Sequence, residues 1–418
     1  MPTDDTKPLQ RPLEGITVLD LTVALAGPFA TLLLAGLGAR VIKIENPLSV
    51  DSCRENAPYL GKDGATLVRQ NADDISVSAL NRLRNKQGIT LNLKNPQARQ
   101  VFADLVKRAD VVFENFSRGA LERMGAGYAQ VREHNPRIVY CSLTGFGSTG
   151  DAGTGKAMDA IIQALSGVMM TSGGPGDPPV RVGVPFADMC TPVFGVMGVL
   201  AALMQTQRTG VGQHVDVSML GVMTMMVAGE PFDLLERCGV PQRTGSTVPR
   251  LAPFGVYKTL DGYISICAPQ EQFAKALFVA IGRPDLNTDP RFATRNQRVV
   301  NVQELDRIIE NFTRARTGQD NFAILEAAGV PAAEVREPDR AVRDPRVVTR
   351  GETVKLLHPK YGEVEDVFGM GMPLTFSDAT VGFDQPPPDV GQHNQEIYGD
   401  WLGYSPERIA ELQRDGVI

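Results

Sequence analysis

Between Asp188 and Arg208 the chain carries no Lys, Arg, Asp or Glu. A run this apolar, with helical periodicity and a closing Gln207-Arg-Thr-Gly210, predicts a buried helix. Its length approaches that of a membrane span, but Pro192, Gly195 and Gly198 interrupt it and it ends in Gln205-Thr-Gln207, which reads as a core helix of a protein with no membrane partner. Asp188 then falls at or just before the helix N-terminus, where the helix dipole and free N–H groups stabilise an anion. Taken alone, a helix-capping aspartate is the simpler reading. A reactive carboxylate is the other.

The chain's 418 residues suffice for two domains with sizeable cores. The net charge of −6 comes without acidic or basic blocks, so no nucleic-acid or membrane-surface partner is expected, and an anionic ligand needs a local basic site. Cys53, Cys141, Cys190, Cys238 and Cys267 are scattered with no Cys-x-x-Cys and no histidine in metal spacing; they read as reduced thiols rather than a disulfide framework or zinc site. Residues 1–8 are polar and lack the apolar core of a signal peptide, so the expected location is cytoplasmic.

Residues 16–21 form a β-rich run, Phe29 to Leu37 a helical pattern closed by Gly38, and Arg40 to Glu45 a further strand. Such a strand–helix–strand unit implies a parallel α/β sheet of Rossmann type. No Gly-x-Gly-x-x-Gly follows the first strand, so a dinucleotide site is not indicated. The alternation continues with a strand at 88–93, a helix from Pro96 to Arg108, and strands at 110–115 and 138–143. Loops at the carboxyl ends of such strands form the site, which puts Asn115, Phe116 and Arg123 in candidate positions. Thr144 to Gly155 is glycine-dense but lacks the Lys-Ser/Thr ending of a phosphate loop, and reads as an ordinary loop before Lys156 and a helix from Asp159 to Met170. After an apolar helix at 217–228, a hairpin at 252–266 and helices at 270–281 and 302–313 indicate a smaller α+β domain. The expected division is 1–215, a large Rossmann-like domain; 225–325, the small domain; and 330–418, a proline-rich, β-rich tail returning to the first.

Several of these stretches, in order, resemble the class III CoA-transferases of the formyl-CoA and carnitine type, a family related to the α-methylacyl-CoA racemases. They are Leu13 to Thr22, Ala26-Gly-Pro28, Leu37 to Glu45, Arg84-Asn-Lys86, Glu114-Asn-Phe116, Asp188, Thr209 to Gln213, Asp261-Gly-Tyr263 and Gly391-Gln-His393. The resemblance spans nearly the whole chain. It implies two interlocked chains, each with a Rossmann-like large domain and a small domain, hence a homodimer. It also implies Asp188 as the catalytic carboxylate, and CoA contacts from Arg84, Asn85, Lys86, Asn115, Phe116, Arg123, Met124 and Lys156. Arginine and lysine suit the phosphates of CoA, and Phe116 or Met124 suits its adenine.

The departures matter for substrate. Leu25 stands where formyl-CoA transferases carry glutamine, Asn46 where they carry arginine, and their run of four glycines has no counterpart between Arg243 and Phe254, which argues against formyl-CoA and oxalate as the pair. Met158 occupies the position of the racemases' catalytic histidine, and a thioether moves no proton. The expected activity is therefore CoA transfer from an acyl-CoA, with succinyl-CoA as first choice, to a small carboxylic acid through an aspartyl–acyl anhydride and an aspartyl-CoA thioester. No metal and no cofactor beyond the CoA thioester substrate are implied. A racemase or thioesterase of the same fold and a non-catalytic CoA-binding protein are the alternatives. Arg54, Arg181 and Arg250 are weak candidates for a distal carboxylate.

Overall fold

The computed structural model describes residues 10–149 and 156–418. They separate into two compact units: the described residues of 1–166, 182–227 and 342–418 form one, and 167–181 with 228–341 form the other. The second unit thus takes in 167–181, a turn-rich connection that reads from sequence as part of the first.

In the first unit, β1 (Thr17–Asp20) leads through α1 (Ala26–Gly36) to β2 (Arg40–Glu45). Pro28 lies in the first turn of α1, where a missing N–H costs no helical bond. An antiparallel excursion of β3 (Tyr59–Gly61), β4 (Gly64–Thr66) and β5 (Ile75–Ser76) runs into α2 (Val77–Arg82), capped by the Ser76 hydroxyl. The chain re-enters the main sheet as β6 (Lys86–Thr90), then crosses α3 (Ala98–Val106) to β7 (Val111–Glu114), and α4 (Ala120–Met124) and α5 (Tyr128–His134) to β8 (Val139–Thr144). Two further helices, α6 (Asp159–Leu165) and α7 (Phe186–Thr209), precede β9 (His214–Ser218) and α8 (Met219–Val227).

All six strands of the main sheet are parallel, in the order β6-β2-β1-β7-β8-β9. Counted along the sheet this is 3-2-1-4-5-6, the doubly wound Rossmann order, whose connections change direction between β1 and β7 and open a crevice at their carboxyl ends. The inner strands are buried on both faces, as a covered parallel sheet demands. Among the described residues β9 pairs only with β8, at the sheet edge; its polar alternation, His-Val-Asp-Val-Ser, hides it in the sequence.

Two buried ion pairs hold the strand ends beneath the crevice. Lys86 Nζ lies 3.0 Å from Asp20, and Lys43 Nζ 2.8 Å from Asp51, with all four side chains shielded from solvent. Asp20 also accepts from the Thr22 and Thr31 hydroxyls, and Lys43 donates to the Thr22 carbonyl. Burial pushes the Asp20 carboxyl up, but Lys86, Lys43 and the two hydroxyls pull it below the usual carboxylate range. Such pairs cost heavily in desolvation, and removing one partner from a pair of this kind costs about 3–5 kcal/mol because the other is left charged and dry.

The returning tail of 330–418 starts later than expected: 330–341 belong to the second unit, and only 342–418 lie in the first, with little strand. Its strands among the described residues are β13 (Thr353–Lys355) and β14 (Phe368–Met370), and Pro386, Pro387 and Pro388 remove backbone donors from the stretch that follows. Residues 385–394 instead cover the free edge of β6: Gly88 and Thr90 N–H groups donate to His393 Nδ1 (3.0 Å) and Asn394 Oδ1 (2.9 Å). Ile397, Tyr398, Ile409, Leu412 and Val417 then join the main core. In the second unit β10 (Phe254–Lys258), β11 (Tyr263–Cys267) and β12 (Ala332–Glu334) form an antiparallel sheet, with a core including Tyr257, Ile264, Phe278, Leu305 and Leu325.

Helix α7 meets the length and composition criteria of a membrane span. One face packs against α1 and β8, yet Val193, Met197 and Met204 on the other are more than half exposed, so within a single chain the uncharged run is buried on one side only.

Candidate active site

The crevice between β1 and β7 is lined by the loop Leu21 to Leu25 and by Asn115. These are clasped together: the Val23 N–H donates to Asn115 Oδ1, and Asn115 Nδ2 donates back to the Val23 carbonyl, both at 2.9 Å. Gly27 makes this approach possible, since a Cβ there would stand 2.3 Å from Thr22 Cβ and 3.0 Å from Asn115 Cγ. Ala24 takes a left-handed conformation (φ 68°), its N–H bonded to Asp51 Oδ1 (2.8 Å) and its carbonyl accepting from Arg82 Nη1 (3.2 Å).

Asp188 is the third residue of α7, inside the first turn and not the cap. The cap comes from another helix: Asp159 Oδ1 accepts the N–H groups of Ala187 (2.8 Å) and Asp188 (3.3 Å). Gln163 braces this carboxylate, donating to its Oδ2 at 2.8 Å while its own Oε1 accepts from the Val182 N–H. The sequence-based expectation that the free N–H groups of the helix serve Asp188 is corrected here, because Asp159 already occupies them. Among the described residues, the Asp188 carboxylate has no hydrogen-bond partner at all. Burial, then the negative charge of Asp159, push it up to about 6, with Arg82 pulling the other way. Pro192 lies four residues on and has no N–H to give the Asp188 carbonyl, which loosens the helix at that turn.

Asn115 and Phe116 follow β7 directly, and Arg123 and Met124 close α4, Arg123 exposed and Phe116 and Met124 packed against the main core. Lys156 is exposed, three residues before Asp159. The glycine-dense loop leads to it; its residues 150–155 lie outside the described residues. The stretch 84–86 is engaged internally. Lys86 Nζ is held by Asp20, Thr31 and the Pro28 carbonyl, and Asn85 (φ 56°) latches the tail at Asp384 and Gln385. Arg84 is buried over the Phe383 ring and donates to the Met370 carbonyl (2.6 Å); burial lowers its pKa to about 10.

A cavity of about 250 Å3 lies beside Phe116 rather than at Asp188, lined by Glu114, Ser117, Arg118, Glu122 and Ser142 among others. Burial pushes Glu114 up to about 7 despite bonds from Ser142 and the Phe116 N–H. Of the three arginines considered for a distal carboxylate, Arg54 is clamped on Glu45 (2.7 Å), Arg250 pairs with Glu230 (2.5 Å), and Arg181 is exposed. Sequence reasoning missed Arg82 and Asp159. Asp159 adjoins Met158, which drew notice only for its missing histidine. Arg82 alternates with Arg84 and Lys86 in Asn81-Arg-Leu-Arg-Asn-Lys86, with nothing in the text to say which cation's charge acts on Asp188.

The sequence model for CoA-transferase family III matches residues 13–394. The acetyl-CoA:oxalate CoA-transferase of Acetobacter aceti is 36% identical over 84% of this chain and 88% of its own. The succinyl-CoA–D-citramalate CoA-transferase of Chloroflexus aurantiacus is 35% identical over 98% of each chain. Among solved structures, a CAIB/BAIF family protein from Brucella suis superposes with a TM-score of 0.79 at 32% identity, covering 94% of this chain and 99% of its own.

The geometry sets a titration test. By carboxyl-carbon NMR, Asp188 is expected to titrate with a midpoint near 6. Asp159→Asn removes the nearby negative charge, so the midpoint should move down; an upward or absent shift contradicts the coupling.

Proposed function

The chain belongs to CoA-transferase family III and is a CoA-transferase, and on that premise we propose that Asp188 carries CoA between two carboxylic acids in covalent form. The observation that carries this reading is a partly buried carboxylate with no hydrogen-bond partner among the described residues, seated in the first turn of α7. Ionised Asp188 attacks the thioester carbonyl of the donor, giving an aspartyl–acyl anhydride and CoA thiolate. The thiolate attacks the Asp188 carbonyl, and the donor acid leaves with the bridging oxygen. The acceptor carboxylate then attacks the aspartyl-CoA thioester, and the released thiolate takes the acceptor's acyl group. Each step conserves the energy of the thioester in a covalent bond.

Burial serves the chemistry by keeping water from the anhydride, at the cost of a raised pKa. A value near 6 leaves Asp188 mostly ionised at neutral pH while keeping it more basic than an ordinary aspartate. Turnover should fall as pH drops through 6. For CoA itself, Asn115, Phe116, Arg123, Met124 and Lys156 supply exposed or half-buried groups around the crevice: cations for phosphate, a ring and a thioether for adenine. Arg84, Asn85 and Lys86 act from within, fixing the strand and tail on which that surface rests. The chemistry calls on no metal or further cofactor, and the reduced thiols suit a cytoplasmic enzyme. Succinyl-CoA remains the first donor to try, since several relatives are named for it.

A second chain is the occupant proposed for the bare side of α7. Val193, Met197 and Met204, with Ile161 and Leu165 of the adjoining α6, expose apolar side chains on two helices packed together. Sedimentation should therefore give a two-chain mass; a single-chain mass at micromolar concentration counts against the dimer. For the nucleophile, Asp188→Ala should lower transfer at least about a thousandfold while CoA still binds. Comparable turnover by the alanine variant removes Asp188 from the mechanism.

A further inference from the structure

The basic residues around the Leu21–Leu25 loop are almost all spent. Lys43 is tied to Asp51, Lys86 to Asp20 and Arg54 to Glu45, while Arg84 is buried against the Phe383 ring and the Met370 carbonyl. Arg82 differs. It closes α2, half-buried, and makes one hydrogen bond, from Nη1 to the Ala24 carbonyl at 3.2 Å, with no ion pair among the described residues. A guanidinium has five N–H donors, so most of this fork is unused. It is also the cation that acts on Asp188 through charge, and it feels Asp51 and Cys53 as well.

Its aim is set by the backbone. Ala24 sits at φ 68°, a region that costs a non-glycine residue about 1–2 kcal/mol. In that conformation its N–H reaches Asp51 and its carbonyl reaches Arg82, so one strained residue ties the arginine to the buried Lys43–Asp51 pair. The reaction brings carboxylates to a place already holding Asp188 and Asp159. A substrate with a second carboxylate adds yet another negative charge, and in a partly dry site that charge needs a counter-ion with bidentate geometry.

We propose that Arg82 receives the second, non-reacting carboxylate of a dicarboxylic acid substrate and so selects dicarboxylic over monocarboxylic acids. The assignment rests on the transferase reading of Asp188. Arg82 touches the substrate without taking part in bond making.

The test compares wild type, Arg82→Gln and Arg82→Lys, using whichever of acetyl-CoA or succinyl-CoA forms the Asp188 adduct. Acceptors are oxalate, succinate and glutarate, each against the monocarboxylate of equal length (acetate, butyrate and pentanoate), leaving out the pair that contains the donor's own acid. Wild type should prefer at least one dicarboxylate over its partner. Arg82→Gln should cut kcat/KM for that dicarboxylate at least tenfold, chiefly through KM, and reduce the preference by a similar factor. Arg82→Lys should keep part of it. If thermal melting shows that the glutamine variant does not fold, the lysine variant carries the comparison through the same ratio. Equal losses for both acids of a pair, in parallel with a shifted pH profile, would mean that Arg82 acts only on the charge of Asp188, and the proposal falls. So it does if wild type shows no dicarboxylate preference, although the transferase reading then stands. Absence of any wild-type adduct from either donor overturns that reading itself.

Discussion

One carboxylate sets the terms for another. Asp159 accepts the N–H groups of Ala187 and Asp188 and thereby fixes where α7 begins, how its first turn is oriented, and which polar groups are left for Asp188. Without that outside cap the first turn would look to its own aspartate for satisfaction, and Asp188 would become a structural residue. With it, Asp188 is left without a hydrogen-bond partner among the described residues, beside a like charge and partly out of water, so its pKa rises to about 6. The same contact that builds the helix end makes its carboxylate more basic.

The sheet provides the complementary constraint. Strand order puts the carboxyl ends of β1 and β7 at the switch point, and the Val23–Asn115 clasp with Gly27 closes the floor between them. Beneath it, Lys86–Asp20 and Lys43–Asp51 spend buried charge on holding the strand ends and the loop that follows β1. The second pair extends to the surface through Asp51, Ala24 and Arg82. A chain of hydrogen bonds thus runs from a core ion pair to a guanidinium whose charge acts on Asp188.

Much of this was legible in the sequence, and the failures share a cause. The alternation of strand and helix and the hairpin follow from local pattern, and the absence of charge up to Arg208 marks α7 plainly, whereas Asp188 stood out as more than a helix cap only through the family resemblance. What the text could not show was pairing at a distance. The cap on α7 comes from a residue 29 positions upstream. The resemblance implies Lys86 as a CoA contact, yet its partner lies 66 positions away and draws it inside. The prolines of the tail obscure how 385–394 lines the edge of β6, because its bonds come from side chains and single backbone groups rather than a strand ladder. β9 was missed because an edge strand needs less apolar text than a buried one.

Covalent transfer through Asp188 has an isotopic signature that neither a racemase nor a passive CoA-binding protein shares. When the acceptor carboxylate attacks the aspartyl-CoA thioester, its oxygen becomes the anhydride bridge, and that oxygen stays on Asp188 when CoA departs with the acyl group. Turnover of an acyl-CoA with an acceptor acid labelled with oxygen-18 in its carboxylate, followed by peptide mass measurement, therefore tests the mechanism at the proposed atom. Label in the Asp188 peptide, and in no other, is the expected result. Product acyl-CoA formed with an unlabelled Asp188 would contradict it.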